Sequence, residues 1–378
     1  MLHPLLCFSY HGTPAAIDYG TLATLYHGTS AIIDRGKSIT FPTGTPITSL
    51  KKTASKVKSI LNLSSVDVGE VSKRLIVGNN SSGLPVNYFI YLNYLFRIPE
   101  MRESFTCSGD SWQRGNGQKV VAFSFYGDPN STVHQERGYF EGIRANLEAI
   151  SSFYNSSWSV RLYHDISPDN PLMVDLCNLT CSNNRFDHCP VDQLPHPLLA
   201  NAVHMFPMLW RFFPTLDPQV DVFVSRDLDS IVKPREMDAD EEWLQSGKSL
   251  HVMRDHPQHS VPMLGGLWGA QLRGSRKVWG DVWREIWTDI IADPLSQSDR
   301  GDKGPDQTLL GRHVWGRVPG GVLQHDSFFC SQYPDGSTSF PSQRPNSTGN
   351  LAGASPDREQ ENIECPTQCR REQNWKFC

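Results

Sequence analysis

No apolar run in this chain is long enough to cross a membrane. Near its start Leu2, Leu5, Leu6, Cys7 and Phe8 are apolar. His3, Pro4, Ser9, Tyr10 and His11 keep that run short of the core of a signal peptide. Charge of one sign is also scarce. A formal net charge of -5 with both signs interspersed offers no handle to nucleic acid or an anionic membrane, so neither is expected as a partner. The basic run from Lys51 to Lys58 reads as a solvated face. At 378 residues the chain can bury a large core, and it suits one big α/β domain with appendages or two domains.

Cysteine is plentiful. Cys177, Cys181 and Cys189 cluster, as do Cys365, Cys369 and Cys378, with Cys7, Cys107 and Cys330 apart. An odd total of 9 leaves one thiol free or intermolecular. Cys177, Cys181, His188 and Cys189 could ligate zinc, but the irregular, Asn-studded spacing favours a disulfide-stapled loop. Sequons for N-glycosylation begin at Asn62, Asn79, Asn80, Asn130, Asn155, Asn178 and Asn346. Chance would supply about two or three. Sequons and clustered cysteines together predict the secretory pathway, the Golgi or ER lumen or the outside. The missing leader and membrane anchor conflict with that, so an incomplete N-terminus is expected.

Residues 1–117, rich in Gly, Ser, Thr and Pro, form an N-terminal region with no assignable function. Order begins at Val120. Val120 to Tyr126 is a predicted strand, followed by the turn Gly127-Asp128-Pro129. From Arg137 to Tyr154 apolar residues recur at helical spacing, and Trp158 to Tyr163 is a second strand. Strand, helix, strand is the unit of a parallel sheet, whose ligands collect beyond the carboxyl ends of its strands. A helical stretch is predicted over Leu198 to Phe213, kinked or restarted at Pro207. A strand at Val222 to Val224, a short helix ending at Gly247, a strand at Leu250 to Met253 and an amphipathic helix over Trp279 to Ile291 follow. Ser296 to Pro305 reads as a mobile loop, and residues 336–378 as a Ser- and Pro-rich tail.

The chemistry centres on Asp221 to Ser230. An apolar strand ends there in Asp227 and Asp229, one residue apart. On an extended backbone such side chains point the same way, and two adjacent carboxylates repel. A hard divalent cation relieves the repulsion and leaves positions for substrate phosphates. The nearby Asp238-Ala-Asp240 reads instead as solvated residues near a helix start. Downstream come Gly265-Gly266, where backbone can approach a ligand or another strand, then Asp306-Gln307 and His325.

In that order over residues 118–335 the chain resembles the GT-A glycosyltransferases, which use nucleotide-diphosphate sugars, and within them the glycogenin-like and galactosyltransferase branch. The resemblance implies a Rossmann-like, mixed, mainly parallel α/β sheet flanked by helices, with irregular extensions at both ends. It implies hexosyl transfer from a UDP-sugar or related donor to a glycan or glycoprotein hydroxyl, with Mn²⁺ or Mg²⁺ as cofactor. Carried over by position, Asp227, Asp229 and His325 are the metal ligands. Gly265 and Gly266 line the sugar and acceptor site, Asp306 binds sugar hydroxyls, and Gln307 lies near the anomeric carbon. Asp128 would join the nucleotide site, Arg254 or Lys303 the diphosphate clamp, and Asp255 would serve as a catalytic carboxylate. The sequence departs from the branch in reading Gly-Gly-Leu-Trp-Gly where an Asn-rich segment is usual.

Two rival readings remain. Asp227-Leu-Asp229-Ser-Ile231 is close to the strand-end motif of haloacid-dehalogenase-like phosphatases, with Gly301 to Asp306 matching a later acidic motif by spacing. In that fold the first Asp would open the domain, whereas here a strand–helix–strand unit precedes it. The non-enzymatic rival is an inactive secreted carbohydrate-binding protein, against which the full set of acidic residues speaks.

Overall fold

A computed structural model of the chain describes residues 105–292, 304–333, 337–345, 351–354 and 363–378, together with strand backbone between 31 and 98. Lys51 to Lys58 and most of the predicted loop at Ser296 to Pro305, Lys303 included, lie outside the described residues. Two compact units divide the chain near Ser104. In the first, β1 (Ala31–Ile33) pairs with β2 (Lys37–Ile39), and β3 (Arg74–Asn79), β4 (Pro85–Tyr91) and β5 (Tyr94–Ile98) form an antiparallel meander.

The second unit, Phe105–Cys378, carries everything discussed below. Its sheet is built from β6 (Gln118–Phe125), β7 (Trp158–His164), β8 (Phe186–Pro190), β9 (Val220–Arg226), β10 (Leu250–Arg254), β11 (Leu267–Gln271), β12 (Val322–Asp326) and β13 (Ser337–Thr338). They lie in the order β13-β12-β10-β11-β9-β6-β7-β8. Only β11 runs against its neighbours β9 and β10; every other pairing is parallel. The strand–helix–strand pattern predicts the parallel part of this sheet, and the mixed, mainly parallel α/β arrangement is the one the resemblance implies. Val120, Val121, Ala122, Phe123 and Phe125 of β6 are all buried, as expected of an interior strand covered on both faces.

Helices supply the two covers. On one face lie α3 (Tyr139–Phe153), α4 (Leu172–Ser182) and α5 (Pro234–Ser246), packing Ile143, Leu147, Ile150, Leu176 and Trp243 onto the sheet. On the other, α6 (Arg276–Ala292) and α7 (Pro305–His313) bring Trp279, Val282, Trp283, Ile286 and Leu310 against Trp268 and Phe223. Shorter α1 (Gly109–Gln113) and α2 (Thr132–Arg137) precede β6 and α3.

Several predicted boundaries move. The stretch over Leu198 to Phe213 is no α-helix but a set of 3₁₀ turns at Pro197–Leu199, Ala202–His204 and Pro207–Leu216. Pro197, Pro207 and Pro214 each remove a backbone donor, and the tighter turns need fewer consecutive ones. The helix closing at Gly247 is longer than predicted: it starts with Pro234 in its first turn and stops where Gly247 turns left-handed at φ 69°. That phase carries Asp240 inward, 1% exposed, so the solvated reading of this residue is wrong. The compact unit also begins before residue 118. A Cys107–Cys189 disulfide and the buried Arg161–Asp217 pair, joined by Thr106, tie that segment to the sheet. The bond also removes Cys189 from the zinc set. Nor is the tail a free appendage. Phe340 and Ala352 pack with Met253 and Leu267, and the Cys330–Cys369 and Cys365–Cys378 disulfides staple it down.

Candidate functional site

The carboxyl ends of β6, β9, β10 and β12 share one rim, and β11 starts there. At that rim Asp227 leaves β9 and enters a turn, closed by a bond from the Ser230 N–H to the Asp227 carbonyl at 3.3 Å. The two aspartates are therefore not on extended backbone, and their carboxylates take separate partners. Asp227 is paired with Arg211, while Asp229 lies 3.7 Å from Arg137 at the end of α2. Side chains below the turn hold it. The Asn146 amide of α3 donates to the Leu228 carbonyl at 3.4 Å and accepts from the Val232 N–H at 3.0 Å. Gly142 lets α3 come close, since a Cβ there would sit 2.3 Å from the Leu228 carbonyl oxygen. Arg226, 1% exposed, donates to the Gly266 carbonyl and the Ser230 hydroxyl, both at 3.0 Å, and is paired with buried Glu236 at 2.7 Å.

Arg211 is the hub. It comes from the 3₁₀ stretch, where its backbone N–H donates to Ser124 Oγ of β6 at 3.0 Å. One guanidinium nitrogen meets Asp227 and the other donates to Asp306 at 2.8 Å. Gly265 and Gly266 close the group from the side. A Cβ on Gly265 would lie 1.9 Å from Asp306 Oδ2, and one on Gly266 2.0 Å from Asp227 Oδ2. At either position a side chain would displace one of these carboxylates. Asp227, Gly265, Gly266 and Asp306, expected together from their order in the sequence, do come together. Burial raises the Asp306 pKa, opposed by Arg211 and reinforced by Asp227. Gln307 is half-buried in the first turn of α7. Asp128, at the exposed turn after β6, accepts the Asn130 N–H at 2.9 Å.

Sequence order places three other residues at this site, and the structure puts their functional groups elsewhere. Arg254 is fully buried. Its guanidinium donates to Asp326 at 2.7 Å, to the Pro262 carbonyl at 2.6 Å and to Gln324, with the Tyr333 ring 4.0 Å away. Fully buried, with all three of its nitrogens bonded inside the protein, it presents no donor to a diphosphate. Asp255 is equally buried, held by a two-pronged bond from Arg235 at 2.9 and 3.0 Å and by the Ala352 N–H at 2.8 Å. Burial would raise its pKa, but Arg235 and Arg344 outweigh that and keep the carboxyl below its usual range. It ties the tail to β10 and has no access to a substrate proton. Replacing Arg254 by Met should therefore cost stability, by about 3–5 kcal/mol as for a broken buried pair. Urea unfolding reads that loss.

His325 is the third. Fully buried on the α5 face, it shares a 2.7 Å hydrogen bond with His251 and lies 3.4 Å from Glu242, while His251 is bonded to Asp240 at 2.8 Å. Its contacts do not include Asp227 or Asp229. Among the described residues no group of three or more His, Cys, Asp and Glu is placed to hold a metal ion. Burial pushes His325 down to about 4 despite Glu242. His259, in the loop after β10, is also pushed down to about 4 by burial, against the pull of Asp255 and Asp227. It accepts the Asp255 N–H at 3.2 Å. Both rings take a proton near pH 6.5 when unfolded and only near pH 4 when folded. Their contribution to stability is thus complete above pH 6.5 and is lost as pH falls toward 4. A urea midpoint that drops across this window is expected, and a flat one contradicts the neutral state of these rings.

Sequence reading missed Arg211, Arg137, Arg226 and Asn146. The one visible signal was Arg211 itself, a lone cation inside the apolar run from Phe206 to Phe213. No protein-family model matches the chain, and no curated protein matches it. Among solved structures, the apo form of the glycosyltransferase GlyE of Streptococcus pneumoniae TIGR4 is similar at TM-score 0.35 and 16% identity, over 55% of this chain and 45% of that one. The apo structure of the bifunctional glycosyltransferase WbbM is similar at 0.34 and 11%, over 62% and 48%. A 4-diphosphocytidyl-2C-methyl-D-erythritol synthase from Anaerococcus prevotii DSM 20548 is similar at 0.31 and 8%, over 55% and 87%. The chain spans about half the length of the two glycosyltransferases. Similarity of this size does not reach the site residues.

Proposed function

We propose that this chain is a glycosyltransferase of GT-A type, moving a hexose from a nucleotide-diphosphate donor, a UDP-sugar by preference, to a hydroxyl of a glycan or glycoprotein. The observation that supports it is the gathering of Asp227, Gly265, Gly266 and Asp306 around buried Arg211 at the carboxyl rim of a mainly parallel sheet. Such a rim is where open α/β sheets bind nucleotides.

The roles follow from exposure and charge. Asp227, with 46% of its side chain exposed, and Asp229, with 22%, carry the oxygen donors that Mn²⁺ or Mg²⁺ takes, and these two residues would hold the ion without His325. Bound there, the ion would supply Lewis-acid stabilisation of the leaving diphosphate. Arg137, half-buried beside Asp229, brings a positive charge to the same place, the part first assigned to Arg254. Arg211 fixes the Asp227 carboxylate and Asp306 fixes Arg211, so the site is ordered before substrate arrives. Gly265 and Gly266 let the carboxylates of Asp306 and Asp227 lie directly against the backbone. The disulfides and the exposure of Asn130, Asn155 and Asn178 support a secretory, Golgi-type location.

The test is calorimetric titration of UDP in the presence of Mn²⁺. Asp229→Ala should weaken binding at least about tenfold, the loss of one charge-assisted contact. Equal affinity in wild type and variant would overturn the assignment of Asp229.

A further inference from the structure

At the rim opposite the candidate site a cavity of about 220 Å³ opens between the end of α3 and the outer half of α5. Lys119 and Asn155 line one side, and Met237, Glu241, Leu244 and Gln245 the other. Asn155 is exposed and heads the sequon Asn155-Ser156-Ser157. Its Oδ1 accepts the Ser157 N–H at 3.0 Å and the Ser157 hydroxyl, which occupies the carbonyl end of the amide. Nδ2, the atom a glycan joins, makes no hydrogen bond among the described residues.

We propose that Asn155 is N-glycosylated and that the first N-acetylhexosamine of its glycan folds back into this cavity. In the covalent step Nδ2 attacks the anomeric carbon of a lipid-linked oligosaccharide diphosphate. The C–N bond forms as the C–O bond to the diphosphate breaks, the lipid diphosphate leaves, and the amide nitrogen gives up one proton. Size and chemistry select the occupant. Sites for drug-sized ligands measure about 300–1,000 Å³, so this smaller space takes a single sugar ring. Met237 and Leu244 suit the apolar ring face and the acetyl methyl, while Lys119, Glu241 and Gln245 suit its hydroxyls. Attachment through a wall residue gives the sugar a high effective concentration, so weak contacts suffice to hold it. Asn130, on the turn after β6, and Asn178, on α4, are exposed sequons on the same unit and serve as internal references.

The full chain is secreted from a eukaryotic line behind an added secretory leader, and glycopeptide mass spectrometry follows each site during native digestion with peptide N-glycosidase. Asn155 should be occupied and should release its glycan at least tenfold more slowly than Asn130. Leu244→Arg, which fills the cavity and leaves the sequon intact, should bring the Asn155 rate up to that of Asn130. An unoccupied Asn155, release at the Asn130 rate in the parent chain, or a slow rate untouched by Leu244→Arg would each overturn the proposal.

Discussion

Asp227→Asn should lower kcat/KM for sugar transfer by roughly 10²–10³ while leaving the melting temperature within a degree or two of the parent. The side chain is 46% exposed at the rim, so little packing is lost. What changes is charge. Asp227 neutralises one end of Arg211, whose other end is bound to Asp306 at 2.8 Å. A neutral amide of the same shape leaves the buried Arg211 guanidinium with one carboxylate instead of two and removes an oxygen donor from the proposed diphosphate site. On the proposed role, in which the carboxylate would serve both the bound donor and the developing charge, binding of UDP and turnover should fall together. Steady-state kinetics beside a thermal melt separates this from unfolding. Normal turnover in a folded Asp227→Asn protein would remove Asp227 from the site.

Gly266→Ala carries the second large effect, and its neighbour shows why the two glycines differ. A Cβ on Gly266 meets Asp227 Oδ2 at 2.0 Å. That carboxylate is partly exposed and can swing away, so the fold survives but the Asp227–Arg211 pair does not. Activity should fall by about two orders of magnitude with a small change in stability. A Cβ on Gly265 meets Asp306 Oδ2 at 1.9 Å and Arg211 Nη2 at 2.5 Å, both buried. Neither can give way, so Gly265→Ala should cost about 1–3 kcal/mol of stability as well as activity. Urea midpoints and kcat measured on both variants should therefore diverge. Equal stability losses would show that the carboxylate at Asp227 is as confined as the one at Asp306.

The strands were legible because interior parallel strands are written as unbroken apolar runs, as at Val120 to Phe125 and Val222 to Val224. Asp227, Gly265, Gly266 and Asp306 were legible through their order. His325 was carried over from its late place in the family order, and Arg254 and Asp255 from the end of a strand, whereas the direction of the His325 side chain depends on strand parity. Gln324 and Asp326 share one face of β12 and bond Arg254, whereas His325 between them points to the other face and meets His251. Order along the chain carries no such parity. Asp240 was misread for a related reason: the helix begins at Pro234, several residues earlier than its apolar residues show, and that phase sets Glu236, Asp240 and Trp243 inward. Arg211 sits in a segment broken by prolines, where no period tells which way a side chain faces. The ties from Arg226 to Ser230 and Gly266 join residues that only the folded sheet brings near.

The central claim is that the rim around Arg211 handles a nucleotide-diphosphate sugar. A panel of UDP- and GDP-sugars incubated with the full chain and Mn²⁺, scored for nucleoside diphosphate release and repeated on Asp227→Asn, tests it directly. One UDP-sugar should be turned over in a Mn²⁺-dependent way, and that turnover should be lost in the variant. Hydrolysis of p-nitrophenyl phosphate with no release from any donor would contradict the account and favour a phosphatase.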